Sequence, residues 1–230
     1  MAETISFPSN GSDASGYLVT PEGGKGPGVL VIQEWWGLDS GIKEMTDRLG
    51  AAGFVALAPD LYHGELAGHD EMDKAGQLMQ SMPPDRAARD MNGAIEYLAG
   101  LDSVTGDGIG VVGFCMGGML AFLIAAARPD KVVAIVPFYG FPQGDTEPDW
   151  SKMTATVRGH MAENDDFFSP GAAKALESKL QGMGKDVTLT VHPGTGHAFM
   201  APHNALGTLN QELADVIWPQ VLEFLHDKLD

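Results

Sequence analysis

The only cysteine of the chain, Cys115, stands in the segment Gly113-Phe114-Cys115-Met116-Gly117-Gly118, directly after an apolar run that ends at Phe114. This segment matches the G-x-S-x-G nucleophile elbow, with sulfur replacing the hydroxyl oxygen. In such an elbow a strand turns sharply into a helix, and a side chain two residues to either side of the nucleophile would collide with the turn. The segment therefore predicts a sulfur nucleophile at a helix N-terminus, where amide donors and the helix dipole favour thiolate over thiol.

Two other interpretations of this segment are open. A lone cysteine in a reducing compartment can be a small buried hydrophobic residue rather than a nucleophile. Gly108, Gly110 and Gly113 also spell G-x-G-x-x-G, the pattern of dinucleotide-binding folds. That pattern requires a strand before its first glycine, whereas here a turn-like segment, residues 102–107, precedes it and the apolar strand lies inside it. The nucleophile elbow is the better match.

A histidine that could act as a base follows a later predicted strand. The segment Gly194-Thr195-Gly196-His197 comes after the apolar run 187–191, so a glycine loop would present His197 at the carboxyl edge of the sheet. Its imidazole could take the thiol proton and later protonate the leaving alkoxide. His192, in the same segment, is the main competitor for this role.

An acid that orients the histidine is expected after the strand near Val157. Asp165 is the candidate, and its neighbours Glu163 and Asp166 compete with it. The resulting chain order of nucleophile, acid and base is that of α/β-hydrolases. A metal site is the weaker interpretation, because the histidines form no H-E-x-x-H motif and no Cys/His pair at ligand spacing.

The elements that must position these residues alternate along the chain. Apolar runs typical of buried strands at 29–32, 54–57, 109–114, 132–136, 155–158 and 187–191 are separated by segments of helical spacing. This alternation predicts an α/β fold with a single, mostly parallel sheet, helices on both faces and no separate cap domain. We expect residues 1–230 to form one domain, with 205–229 as a final helix or a pair of helices kinked at Pro219.

Composition narrows the classes of partner. The 31 acidic residues against 14 basic ones give a formal charge of −17, which repels nucleic acid and anionic membranes. The N-terminal residues do not resemble a signal peptide, and the longest apolar run, 119–127, is shorter than the ~20 residues of a membrane span. We expect a cytoplasmic monomer or weak homo-oligomer that acts on a small molecule, with no nucleic-acid or membrane partner.

The chain resembles the dienelactone hydrolase (carboxymethylenebutenolidase) family over nearly its whole length. The resemblance is carried by the elbow, Asp165, the G-T-G-H loop and the segment Gln33-Glu34-Trp35-Trp36-Gly37. The resemblance implies an α/β-hydrolase fold and a Cys-Asp-His triad of Cys115, Asp165 and His197. It also implies that Glu34 contacts the resting thiol and helps to generate thiolate, and that the amides of Trp35 and Met116 form the oxyanion hole.

One departure concerns the substrate. Members of that family hold the substrate carboxylate with arginines, one of them four residues beyond the catalytic histidine, where this chain has Ala201. No arginine occurs between Arg48 and Arg86, and another geometry does not readily replace a bidentate arginine. The candidates for substrate binding are Trp36, Tyr139, Arg86 and His203.

The prediction is therefore a hydrolase that cleaves an ester or lactone through a thioester on Cys115, without a metal or cofactor. A broad short-chain carboxylesterase or thioesterase on the same triad is the nearest alternative. A non-catalytic ligand-binding protein and a redox sensor are further alternatives, and the sensor lacks a second cysteine as resolving partner.

Overall fold

The computed structural model describes residues 1–9 and 11–230. Its strands are β1 (Ala2–Ser9), β2 (Ser12–Val19), β3 (Gly26–Ile32), β4 (Val55–Pro59), β5 (Val104–Phe114), β6 (Val132–Phe138), β7 (Thr156–Asn164) and β8 (Val187–Gly196). Its helices are α1 (Ser40–Ala51), α2 (Met72–Ser81), α3 (Pro84–Ala99), α4 (Met116–Ala127), α5 (Pro170–Gly182) and α6 (Gln211–Leu229), with a short 3-10 helix at Gly144–Thr146.

The eight strands form one sheet in the order β1-β2-β4-β3-β5-β6-β7-β8. The pairs β1/β2 and β2/β4 are antiparallel, and every other neighbouring pair is parallel. The central strands β3 and β4 are buried along their whole length, as expected for strands that are covered on both faces. The predicted mostly parallel α/β-hydrolase sheet is confirmed.

The helices cover the sheet from two sides, and a separate apolar core lies on each side. Buried residues of α1 and α6, such as Met45 and Trp218, belong to one core. Buried residues of α2, α3, α4 and α5, such as Ile95 and Phe122, belong to the other. Helix α4 is buried on nearly all sides, so the residue before it has little freedom to move.

The four predicted functional residues all follow the carboxyl ends of parallel strands. Glu34 lies two residues after β3, Cys115 directly follows β5, Asp165 directly follows β7 and His197 directly follows β8. These strands lie in the order β3-β5-β6-β7-β8. The carboxyl ends of parallel strands share one edge of the sheet, where ligands bind in open α/β folds.

Two elements of the fold were not predicted from the sequence: residues 2–9 form β1 and residues 72–81 form α2. The C-terminal segment forms a single helix, α6, one of the two predicted alternatives, and this helix runs unbroken through Pro219. Pro219 and Asp215, the residue whose carbonyl loses its helical donor, are both exposed, so water can satisfy that carbonyl.

A further difference from the sequence prediction concerns the strand before the nucleophile. Strand β5 begins at Val104 rather than at Ile109, and its pairing with β3 shifts between Pro27 and Gly28. The segment that looked like a turn is thus an irregular part of the strand, with Gly106 at a φ of 76°. Gly108 and Gly110 lie inside this strand, and of the three glycines only Gly113 is next to the strand-to-helix turn, so the three do not form a dinucleotide loop. Within the described residues, no helix has the length and apolar character needed to span a membrane.

Candidate active site

Cys115 occupies a strained turn between β5 and α4. Its φ of 55° and ψ of −116° lie in a region that residues with a side chain rarely adopt. A Cβ on Gly113 would lie 2.0 Å from the carbonyl oxygen of Gly117, and a Cβ on Gly117 would lie 2.3 Å from the carbonyl oxygen of Ile32. Both glycines are therefore required by the tight backbone approach, as expected for a nucleophile elbow.

Two backbone amides lie near the sulfur of Cys115 and lower the pKa of its thiol. They belong to Met116, the first residue of α4, and to Trp35, after β3. Burial raises the pKa of the Cys115 thiol, and the charge of Glu34 raises it further, against the opposing effect of these amides. The elbow amides favour thiolate, but burial and the neighbouring carboxylate outweigh them, so the resting sulfur is a thiol.

His197 and Asp165 form a buried pair. The Nδ1 atom of His197 lies 2.8 Å from Oδ2 of Asp165, and the carboxylate side chain is fully buried. The other carboxylate oxygen, Oδ1, accepts hydrogen bonds from the amides of Phe167 and Phe168, both at 2.9 Å. These amides hold the carboxylate in place, and the carboxylate in turn orients the imidazole so that Nε2 is free for proton transfer.

The ring of His197 is also fixed by aromatic neighbours. The rings of Phe167, Tyr139 and Phe168 have centroids at 4.9, 5.1 and 5.9 Å from it. Among the residues that the structure describes, the His197 ring forms a hydrogen bond with Asp165 and none with Cys115. His197 and Cys115 nevertheless line the same cavity. Hydrogen bonds between catalytic groups often tighten only when substrate binds.

Two of the three residues that competed with His197 and Asp165 in the sequence, His192 and Glu163, have other partners. His192 Nε2 lies 3.0 Å from Nδ1 of His160, and burial lowers the pKa of both histidines, that of His160 to about 3. Glu163 accepts a hydrogen bond from the amide of Gly194 at 2.8 Å. Neither His192 nor Glu163 lines the cavity that contains Cys115.

Glu34 is buried beside the nucleophile and is held by two side chains. The hydroxyl of Tyr139 donates to Oε1 at 3.2 Å, and Nε2 of His203 lies 2.8 Å from Oε2. The resemblance implied a contact between Glu34 and the resting thiol. Among the described residues, the side-chain partners of Glu34 are Tyr139 and His203 rather than Cys115, and the carboxylate acts on the thiol through its charge.

His203 carries its proton on the nitrogen that faces Glu34. The amide of Ala205 donates to Nδ1 at 3.0 Å, so the neutral ring has its hydrogen on Nε2. Burial lowers the pKa of His203, but the hydrogen bond to Glu34 and the charges of Glu34 and Asp39 outweigh burial, so the pKa is raised. A second proton on Nδ1 would have to displace the amide of Ala205.

The one cluster in the described residues that could hold a metal ion lies next to this pair. Donor atoms of Asp39, His69 and His203 all lie within 4.8 Å of one another. The two imidazoles stack with centroids at 4.1 Å, and Nε2 of His69 lies 2.7 Å from Oδ2 of Asp39. Stacked rings do not direct their lone pairs to one point, and both Nε2 atoms are engaged with carboxylates, so we assign no metal to this cluster.

A cavity of about 630 Å³ opens over the sulfur of Cys115. Among the predicted substrate-binding residues, Trp36 and His203 line it, whereas Tyr139 and Arg86 do not. Tyr139 lies behind Glu34, and the guanidinium of Arg86 is turned toward the carbonyl oxygen of Leu61, 3.4 Å away. Of these four residues, Trp36 and His203 are therefore the two in position to touch a substrate in the cavity.

Several residues of the site carry no signal that identifies them in the sequence. Met79 and Leu206 line the cavity, but they come from α2 and from the turn before α6. His69 belongs to a loop and reaches the site through its stacking on His203. The contact of Asp165 with the amides of Phe167 and Phe168 does have a signal in the sequence. An aspartate that begins a turn commonly accepts hydrogen bonds from the amides two and three residues further along the chain.

Comparison with known proteins agrees with this geometry. Residues 14–229 match the profile of the "Dienelactone hydrolase family". The chain is 38% identical over 206 residues to "Protein usf" of Aquifex pyrophilus, with 87% of each chain covered. It superimposes on the solved structure "m3DLH" with a TM-score of 0.86 at 25% identity, covering 100% of this chain and 99% of the other. A "Dienelactone Hydrolase-like" promiscuous phosphotriesterase from metagenomic libraries shares the fold, with a TM-score of 0.84 at 21% identity and coverage of 100% and 99%. This chain therefore belongs to the dienelactone hydrolase family and is a hydrolase of esters or lactones.

Proposed function

We propose that Cys115, His197 and Asp165 act as a catalytic triad that hydrolyses a carboxylic ester or lactone through a thioester on Cys115. The proposal rests on one arrangement: the sulfur stands on a strained elbow near the amides of Met116 and Trp35, and it shares a cavity with a histidine whose Nδ1 bonds Asp165. Nucleophile, base, orienting acid and oxyanion donors are the parts that acyl transfer requires.

The first half of the reaction forms the thioester. His197 Nε2 removes the thiol proton of Cys115 as the sulfur attacks the ester carbonyl carbon, which gives a tetrahedral oxyanion. The oxyanion collapses, the bond between carbon and the leaving oxygen breaks, and His197 returns the proton to the alkoxide. For a lactone the freed hydroxyl remains on the acyl chain, so no separate alcohol leaves.

The second half releases the acid. A water molecule attacks the thioester carbon while His197 takes a proton from it, and a second tetrahedral oxyanion forms at the same amides. When this oxyanion collapses, the carbon–sulfur bond breaks and the proton returns to the sulfur. Because the thiol is protonated at rest, the free enzyme is restored without a net gain or loss of protons at the triad.

The two amides supply stabilisation where the negative charge develops. The amides of Met116 and Trp35 lie near the sulfur of Cys115, so a carbonyl carbon bonded to that sulfur would have its oxygen within their reach. Loss of one such donor typically costs about 2.7–4 kcal/mol of transition-state stabilisation. The carboxylate of Asp165 stabilises the imidazolium that forms on His197 in both halves.

Kinetics of single variants test the triad. We expect Cys115→Ala and His197→Ala each to abolish turnover of activated esters while the far-UV circular dichroism spectrum stays native. His192→Ala is the matched control, because His192 comes from the same strand, is partnered by His160 and lies outside the cavity. Substantial turnover by Cys115→Ala, or an equal loss in His192→Ala and His197→Ala, would contradict the proposal.

A further inference from the structure

The wall of the cavity over Cys115 is mostly apolar. Trp35, Met119, Phe167 and Leu206 contribute to it, and the aromatic rings of Trp35 and Phe167 meet edge to face with centroids at 6.3 Å. The volume of about 630 Å³ lies within the range of about 300–1,000 Å³ that is usual for small-molecule sites. A substrate that contains a ring or a comparable alkyl chain would fill this space.

The described part of this wall contains no lysine or arginine, and its acidic side chains are Glu34 and Asp166. Its two histidines are engaged with carboxylates of the chain, His197 with Asp165 and His203 with Glu34. The carboxylate of Asp165 lies close enough for its charge to act on Cys115. A carboxylate on the substrate would therefore lose its water next to negative groups, without a cation to replace the lost solvation.

The position at which the family resemblance places an arginine is buried here. Ala201 is 2% exposed and packs in the core on the α1 and α6 side of the sheet. His203 lines the cavity, but its Nε2 lies 2.8 Å from the Glu34 carboxylate and its Nδ1 accepts from the amide of Ala205, so both nitrogens are engaged within the chain. Arg86 is directed away to a backbone carbonyl. The chain as a whole carries a formal charge of −17, which also disfavours the approach of anions.

Apolar side chains are exposed at this site. Phe167 is 52% exposed and Met79 is 38% exposed, and both line the cavity. Such exposure at the wall of a concave site favours an apolar ligand that covers it. The exposed apolar surface and the missing cation indicate the same substrate chemistry.

From these observations, and on the basis of the proposed function, we infer that the enzyme acts on neutral esters or lactones with an apolar or aromatic group, and discriminates against substrates with a free carboxylate. The neutral group packs between Trp35, Phe167 and Met79, and the reacting carbonyl lies over Cys115.

Matched activated esters test this inference. The para-nitrophenyl ester of adipic acid and the para-nitrophenyl ester of monomethyl adipate have the same acyl chain and differ in one terminal carboxylate. We expect kcat/KM for the neutral ester to exceed that for the anionic ester by about 100-fold or more, because the anion would be buried without a partner. A third ester, whose acyl chain ends in trimethylammonium, tests whether the acidic residues favour a cation instead.

A variant with an added cation makes the test specific to the cavity. Met79→Arg places a guanidinium at the wall, and Met79→Gln is a neutral control of similar length. We expect Met79→Arg to raise the ratio of kcat/KM for the anionic ester to that for the neutral ester by about tenfold, and Met79→Gln to leave this ratio near that of the wild type. An unchanged ratio in Met79→Arg would contradict the inference.

The outcomes separate this inference from the proposed function. If the anionic or the cationic ester reacts as fast as the neutral one, and its acyl group is found on Cys115, the inference is wrong and the triad stands. If none of the three esters is hydrolysed, or if Cys115→Ala hydrolyses them as well as the wild type does, both the proposed function and the inference fail.

Discussion

His203 Nε2 lies 2.8 Å from Oε2 of Glu34, and both side chains are almost fully buried, at 6% and 5% exposed. The contact joins a residue of the turn before α6 to a residue after β3, far apart in the sequence. It places a carboxylate at a fixed position beside the nucleophile, where its charge raises the pKa of the Cys115 thiol. Glu34 therefore helps to keep the resting sulfur protonated, and His203 holds the Glu34 carboxylate in the position where it does so.

Removal of His203 should destabilise the protein. His203→Ala leaves the buried carboxylate of Glu34 with Tyr139 as its remaining side-chain partner, and we expect the free energy of unfolding to fall by about 1–3 kcal/mol, the usual cost of an unsatisfied buried polar group. Urea denaturation measures the change, and His203→Gln, which keeps an N–H donor, should lose less.

The pH dependence of this loss has a defined sign. The folded pKa of His203 is above its ordinary value, so the contribution of its titration to stability is fully present below about pH 6.5, the unfolded pKa, and is lost as pH rises through the folded pKa. The stability difference between the wild type and His203→Gln should therefore narrow with rising pH. Equal stability of the wild type and His203→Ala at every pH would contradict the role of His203.

Alkylation of Cys115 should report the charge of Glu34. The raised pKa predicts that the resting thiol reacts slowly with iodoacetamide at neutral pH, and that the rate still rises beyond pH ~8.5, where an ordinary cysteine titrates. Glu34→Gln removes the neighbouring charge, so its pH profile should move to lower pH and its rate at neutral pH should increase. Mass spectrometry follows the reaction at the chain's only cysteine. A wild-type alkylation rate that levels off below pH 8 would show that the thiol pKa is not raised. A pH profile of Glu34→Gln that moves to higher pH would show that the Glu34 charge does not raise it.

The acid of the triad can be identified by comparing adjacent aspartates. Asp165→Asn replaces the acceptor at His197 Nδ1 with a group that favours the wrong tautomer, and we expect kcat to fall by about 10²–10⁴-fold. Asp166→Asn should cause a much smaller loss, because Asp166 lines the cavity but is not the partner of His197. Equal losses in the two variants, measured by steady-state kinetics, would rule out Asp165 as the orienting acid.

The elbow should not tolerate a methyl group. Gly117→Ala would bring its Cβ to 2.3 Å from the carbonyl oxygen of Ile32, and we expect it to destabilise the protein by about 1–3 kcal/mol and to reduce turnover. Gly76→Ala is the control, because Gly76 lies inside α2 with no atom within 4 Å of an added Cβ. Alanine at this helical position should raise the free energy of unfolding by about 0.5–1 kcal/mol. Thermal unfolding compares the two, and a Gly117→Ala protein as stable as the wild type would show that the backbone approach can relax.

The sequence predicted those parts of the site that depend on local pattern. Strand ends marked by apolar runs located Cys115, Asp165 and His197 near one edge of the sheet. The glycines around Cys115 carried a steric requirement that the structure reproduces at Gly113 and Gly117. These features follow from short stretches of chain, which is why the sequence alone contained them.

The rest of the site depends on tertiary packing. The contact of His203 with Glu34 and the stacking of His69 on His203 join segments that share no local pattern. The local amides were predicted to favour thiolate, but the larger opposing effects of burial and of the Glu34 carboxylate on the thiol pKa arise from packing. Strand β1 was missed because it is a largely exposed edge strand with few buried residues, and α2 was missed because only Ala75 and Leu78 are buried in it.

The most direct test of the triad is mass detection of the acyl-enzyme. After rapid mixing with a neutral activated ester and acid quenching, we expect the chain to gain the mass of one acyl group, and peptide mapping to place that group on Cys115. His197→Ala and Cys115→Ala should show no such adduct at that peptide. Hydrolysis by the wild type with no acyl group on Cys115 at any quench time, together with full turnover by Cys115→Ala, would contradict the account.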